Sequence, residues 1–269
     1  MDSPMIGETS AVNTQWFRWM GMLLILMVIC ASGSAMSGAW AQEAQGGAKI
    51  LIETNLTSGN AGIQVSLDGE EWKTMSVKGP DGKKVVGLKA KGDLKKTVGL
   101  TELFWESEES TFSEMTLAAL LEMFPEGDYE FKGKSLAGDK FTTTATLAHE
   151  LPCGPENLSP AEETVSPSGV DIAWDPVVAA LNDIGGACSP DPIRIETYEV
   201  IVEDVATGNQ LDISLHAGVN MVEVPDEFIE NGKTYTYKVL AIADNGNQTI
   251  VETFFCTGTP GAACSRPPN

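Results

Sequence analysis

Phe228-Ile-Glu-Asn-Gly-Lys-Thr-Tyr-Thr-Tyr-Lys-Val239 is the stretch on which the fold turns. Tyr235, Tyr237 and Val239 recur at every second position, the period at which a strand turns one face to a core. The strand runs on to Ala243. Outward from it, further short strands read at 169–175, 193–203, 210–216, 219–224 and 247–256, with a first one near 158–161. Seven short strands separated by turns indicate a β-sandwich. Trp174, on the strand 169–175, is large and apolar enough to fill the space between two such sheets. An architecture of this kind presents surfaces and loops rather than a reaction centre.

The upstream half is also β-rich. Strands read at 49–54, at 62–67 with Ile63, Val65 and Leu67 alternating, and at 72–77, 83–88 and 97–105. Asp68-Gly69 and Gly79-Pro-Asp-Gly82 read as turns between them. One helix interrupts the pattern near 113–124. Leu117, Leu120, Leu121 and Phe124 form an apolar stripe, Thr111 with Glu114 offers a capping box, and Pro125 is the stop. Strands resume at 127–132, with Tyr129 and Phe131 on one face, and at 141–147 after an Ala137-Gly-Asp139 turn. Leu151-Pro-Cys-Gly-Pro155 reads as a boundary with few contacts across it. The reading is therefore mainly β: a β-rich domain with one short helix over 48–150, a seven-stranded sandwich over 151–257, and a flexible Pro/Gly-rich tail over 258–269.

The second domain resembles fibronectin type III modules. The resemblance is carried by Ser159-Pro-Ala161, Val170-Asp-Ile-Ala-Trp174, Tyr198-Glu-Val-Ile-Val202, Val224-Pro225 and the Phe228–Val239 stretch. It implies that Trp174, Tyr198, Tyr235 and Tyr237 are core residues. It also implies that Tyr235 is a corner tyrosine whose hydroxyl bonds back to the backbone. A long insertion at 176–192 departs from the family pattern, and no Arg-Gly-Asp occurs, so integrin-type adhesion is not implied. The whole chain is similar to a group of uncharacterised exported bacterial proteins with a Phe-Pro-x-Gly-x-Tyr-x-Phe stretch like 124–131. That second likeness brings no known activity.

The N-terminus reads as an export signal. Arg18 precedes an apolar run at 20–29, and Ala39-Trp-Ala41 fits a cleavage site that removes 1–41. The alternative is an uncleaved anchor, because 20–41 carries no charge. The remaining 228 residues hold 36 acidic and 16 basic side chains, net −20. So negative a surface opposes nucleic acid or an anionic membrane as partner. After Cys30 leaves with the signal, Cys153, Cys188, Cys256 and Cys264 remain. An even number in an exported chain suggests two disulfides, and spacing argues against zinc. Three pairings are open from the residues alone; the family topology implies Cys153–Cys188 and Cys256–Cys264.

The chemistry-bearing residues form no catalytic set, so catalytic, cofactor-binding and metal-binding residues are all read as none. His149 and His216, the two histidines, sit at strand ends with no nucleophile paired to them. The acidic run Glu102, Glu106, Glu108, Glu109 and Glu114 surrounds Phe104 and Trp105 and reads as a solvated face, with a ligand groove as the competing reading. Asp244-Asn-Gly-Asn247 and Asp68-Gly-Glu-Glu71 read as turns rather than calcium loops. Trp72 and Trp105 are the candidate ligand surface, Trp72 because it follows two glutamates at a strand start. The expected protein is a periplasmic or secreted non-enzymatic module. Its partner is an unknown protein or polysaccharide, and a carbohydrate-binding accessory role is the alternative. A hydrolase that uses the acidic run is the third reading.

Overall fold

Asn60–Lys78 forms one strand of 19 residues, β2, around which the upstream half is organised. The computed structural model describes residues 47–182 and 187–266; the expected signal segment at 1–41 lies outside the described residues. The sequence predicts two strands here with a turn at Asp68–Glu71. The backbone instead stays extended, and irregularities in pairing on either side of Trp72 shift the phase of the strand. Ile63, Val65 and Leu67 face the core before this point, and Met75 and Val77 after it. An Asp-Gly pair serves a bulge as readily as a hairpin, which is why the turn signal misleads.

The first half of β2 pairs with β1 (Lys49–Asn55) on one side and with β4 (Leu100–Glu106) and β5 (Ser110–Thr111) on the other. Its second half pairs with β3 (Lys84–Lys89) and with β6 (Gly127–Ser135), which pairs in turn with β7 (Lys140–Leu147). A π-helical turn at Leu94–Val98, not foreseen from the sequence, leads into β4. Gly133 is required in β6, because a Cβ there would lie 2.1 Å from Cζ of Phe141. The helix α1 spans Leu117–Met123 and buries Leu117, Leu120 and Leu121. Its cap is Thr116, whose Oγ1 accepts from Ala119 N–H at 3.2 Å. The expected capping box does form hydrogen bonds, Thr111 N–H and Oγ1 both donating to Glu114, but it closes the preceding turn.

The downstream half comprises β8 (Glu156–Ser159), β9 (Thr164–Val165), β10 (Val170–Asp175), β11 (Ala179–Leu181), β12 (Cys188–Pro192), β13 (Ile195–Asp204), β14 (Gln210–His216), β15 (Met221–Val224), β16 (Thr234–Ala243) and β17 (Gln248–Thr257). One sheet runs β15-β10-β8; facing it is the run β14-β13-β16-β17. This seven-strand arrangement is the fibronectin type III-like sandwich. Trp174 is 2% exposed and packs on Tyr198 with ring centroids 5.2 Å apart. The Tyr235 hydroxyl donates to Phe228 O and accepts from Glu230 N–H, and its ring stacks on Phe255. The 176–192 insertion carries the β11–β12 hairpin.

The outer edge of β17 is closed along its length. β1 pairs with it in parallel from Gln248 to Ile250. Thr57 Oγ1 then both accepts from Glu252 N–H and donates to Glu252 O. Beyond that, Glu162 N–H donates to Phe254 O, and β9 takes the end of the strand. A single sheet thus crosses both halves. Leu151–Pro155, expected to be a linker with few contacts, is buried throughout. Pro152 O accepts from Thr249 Oγ1 at 2.6 Å, and a Cβ on Gly154 would lie 2.7 Å from Leu56 and 2.8 Å from Val251. Asn247, 1% exposed, is the clamp. Its Oδ1 accepts from Ile52 N–H at 2.8 Å, while Nδ2 donates to Ala148 O and Glu150 O at 2.9 and 2.8 Å.

Cys153 is bonded to Cys188 and Cys256 to Cys264. The first bond ties the insertion to the start of β8. The second folds the tail back, and Arg266, expected in a mobile segment, sits over Phe254 and beside Glu162. Two outcomes are expected. Asn247→Ala takes the partner from the buried Ile52 N–H and from Ala148 O, while Glu150 O keeps Asn245 Nδ2, and should lower unfolding free energy by about 1–3 kcal/mol in a single denaturant transition; two separate transitions would show that the halves are independent. Loop-closure entropy makes C153S/C188S, whose loop has a sequence separation of 35, costlier than C256S/C264S, with 8. The difference should be about 1 kcal/mol in thermal unfolding.

Candidate functional site

Strand phase brings three carboxylates together. Ile50 and Ile52 of β1 face the core, so Glu53 between them and Asn55 faces outward. β4 ends at Glu106 on the same side of the sheet, opposite Gln64, and the chain returns with Glu109 ahead of β5. Ligand atoms of Glu53, Glu106 and Glu109 all lie within 4.8 Å of one another. Amide groups surround them. Gln64 Nε2 donates to Glu53 at 3.0 Å and to Glu106 at 2.9 Å, Asn60 Nδ2 donates to Glu109 at 3.0 Å, and Gln248 Nε2 of β17 donates to Glu53.

Three negative charges cannot share this space without compensation. Burial, followed by a hydrogen bond with Glu109, raises the Glu53 pKa to about 7. Burial and the nearby Glu109 also raise that of Glu106. Between about pH 4.5 and 7 the cluster therefore holds a proton that the unfolded chain releases. Carboxylate oxygens at this spacing are chemically suited to share a proton or to hold a hard cation. The acidic run pointed to Glu106 and Glu109. Glu53 and Gln248 escaped notice, since one outward acid in an alternating strand looks like ordinary solvation. Glu102 and Glu108 are exposed and outside the cluster, and Glu114 belongs to the turn before α1.

The other candidate residues are dispersed. Trp72, expected to be a half-exposed ligand platform, is 1% exposed in the core of the upstream half, turned inward by the phase shift in β2. Trp105 is half-buried and packs on the same core, whereas its neighbour Phe104 is 61% exposed. His149 lines a cleft of about 620 Å³ with Leu117, Leu121, Pro125, Leu151 and Leu181. Its Nε2 lies 2.7 Å from Phe124 O, and its backbone N–H donates to Glu126. His216 lies on β14 opposite Thr197. Asp244–Asn247 forms the β16–β17 hairpin turn, with Asn245 and Asn247 turned toward the 148–150 backbone. Tyr237 is fully buried, and burial raises its pKa.

No protein-family model and no curated protein matches the chain. Solved structures similar to it include the fn3 domain of human collagen alpha-1(XX) chain, 22% identical over 44% of this chain and 90% of that one, with a TM-score of 0.29. Chicken CNTN1 FN1-FN3 domains are 10% identical over 79% of this chain and 64% of that one, with a TM-score of 0.35. A two-domain fibronectin type III segment of chicken tenascin is 10% identical over 77% of this chain and 97% of that one, with a TM-score of 0.28.

The cluster makes a signed pH prediction. A carboxyl whose pKa is raised from 4.5 to about 7 stabilises the fold least where it must ionise. Its contribution is intact below about pH 4.5, falls as pH rises, and is lost above about pH 7. Burial raises Glu106, Glu199 and Asp212 in the same direction, with a nearby carboxylate adding to it at Glu106 and Glu199. Comparison with Glu53→Gln isolates the first group. The variant should gain on the order of 1–3 kcal/mol over wild type at about pH 8, and show no such gain at about pH 4. Parallel stability curves for the two proteins would contradict it.

Proposed function

We propose that this protein is an exported, non-enzymatic module that presents a rigid surface for binding at the cell envelope or outside the cell. The observation that carries this reading is the single sheet that crosses both halves, sealed along β17 and stapled by two disulfides. Disulfides persist in oxidising compartments, which supports export. Among the described residues, no helix is long and apolar enough to cross a membrane. The groups best suited to react are engaged in structure. His149 is bonded to a backbone carbonyl, and the Glu53 cluster is held by three amides from two strands, β2 and β17. A frame of this kind holds loops and faces in fixed positions, and function then lies in what the surface contacts.

The test combines location with turnover. The full chain with a C-terminal tag, expressed in a bacterial host, should show oxidised cysteines and a tag accessible outside the inner membrane. The purified protein should leave polysaccharide, peptide and ester substrates unchanged. A cytosolic, reduced product would end the export reading. Turnover that disappears in Glu106→Gln or Glu109→Gln would replace the module with an enzyme that uses the acidic cluster.

A further inference from the structure

The chain is acidic, yet its cations are not spread evenly. Eleven of its 17 Lys and Arg residues fall between Lys73 and Lys140, while 151–269 holds 18 acids and 4 bases. Register places many of these lysines on one face. Across the second half of β2, Thr74 is opposite Lys89 of β3 and Lys134 of β6, and Lys134 is opposite Lys140 of β7. One step along, Ser76 is opposite Gly87 and Lys132, and Lys132 is opposite Thr142. Next, Lys78 is opposite Lys84 and Glu130, and Glu130 is opposite Thr144. The core lies on the other side, under Met75, Val77, Phe131 and Phe141. Six lysines therefore share an outward face four strands wide with two acids, Glu130 and, at its far end, Asp128, which accepts a hydrogen bond from Thr146 Oγ1; the positions between the lysines carry hydroxyls or no side chain.

Two like-charge pairs, Lys78 with Lys84 and Lys134 with Lys140, stand directly opposite each other across strands. Such pairs destabilise a sheet. Glu130 pairs with Lys132 at 2.5 Å, and among the described residues none of the other five lysines of this face is in an ion pair. A solubilising surface mixes signs. This one concentrates positive charge against the trend of the chain and leaves its repulsion uncompensated.

Building on the proposed binding role, we propose that the outer face of β3-β2-β6-β7 binds a linear acidic polysaccharide, the lysines meeting its carboxylate or sulfate groups and Thr74, Ser76, Thr142 and Thr144 its hydroxyls. The chemistry selects this occupant. The face has no aromatic on which a nucleobase can stack. It also lacks the apolar or aromatic anchor that centres a protein interface. A broad anionic membrane would meet the acidic remainder of the molecule, whereas a single flexible chain can follow the lysine rows.

Binding of polygalacturonate and dextran sulfate to the purified disulfide-bonded protein tests this, with neutral dextran as reference. The variant K78Q/K84Q/K134Q/K140Q should lose about tenfold or more in affinity and show a shallower dependence on salt. K49Q/K91Q/K95Q/K96Q removes the same charge off the face and should stay within about twofold of wild type. The face variant relieves repulsion, so its melting temperature should not fall; this separates lost binding from lost folding. No binding of either polyanion overturns the proposal. Equal losses in both variants overturn the face assignment while leaving the binding-module reading in place; cleavage of the polymer ends that reading as well. Tighter binding to poly(dT) or to anionic vesicles would assign the face to another class of partner. Self-association that disappears in the face variant would assign it to a second copy of this chain.

Discussion

An exposed strand edge carries a row of unpaired N–H and C=O groups, and a protein must satisfy or shield them. In the downstream sandwich that edge is β17. Its amide and carbonyl groups are met in turn by β1, by the Thr57 hydroxyl, by the Glu162 backbone and by β9. Most of the architecture follows from this closure. Because β1 comes from the far end of the chain, sealing the edge fuses the upstream half to the sandwich. Because fusion buries Leu151–Pro155, the backbone polar groups there need partners, and Asn247, Asn245 and Thr249 supply them. The small side of Gly154 then allows Leu56 and Val251 to close over the segment.

The fusion also sets the electrostatics. Parallel pairing places Glu53 beside Gln248, and β4 and the turn after it bring Glu106 and Glu109 onto the same patch. The chain neutralises the resulting repulsion with amide donors and a proton. At the other end of β2, the lysine face has no such internal remedy. The two charged regions therefore differ in kind: one is compensated within the fold, the other is left open to solvent and to whatever anion can reach it.

The sandwich was legible because its signals are local and periodic. Tyr235, Tyr237 and Val239 alternate into a core, and Tyr198 on the adjacent β13 and Trp174 on β10 of the facing sheet do so as well. The helix was legible from its stripe, although its cap was not, since Thr111 and Thr116 offer the same chemistry five residues apart. Non-local facts were hidden. Parallel pairing of β1 with β17 leaves no signature in either strand, so Leu151–Pro155 looked like a linker. Phase shifts in β2 are invisible to alternation counts, and that sent Trp72 to the surface on paper and into the core in fact. Lys78, Lys84, Lys89, Lys134 and Lys140 could each be seen, but only register shows that they share a face.

The central claim is that edge closure makes both halves one cooperative structure. Native-state hydrogen exchange of the Ile52 amide, held by Asn247, and of the Val200 and Val239 amides deep in the sandwich measures this directly. The account predicts that all three exchange through the same global opening, with matching dependence on denaturant. Exchange of Ile52 through a separate, lower-energy opening while Val200 and Val239 stay protected would contradict it.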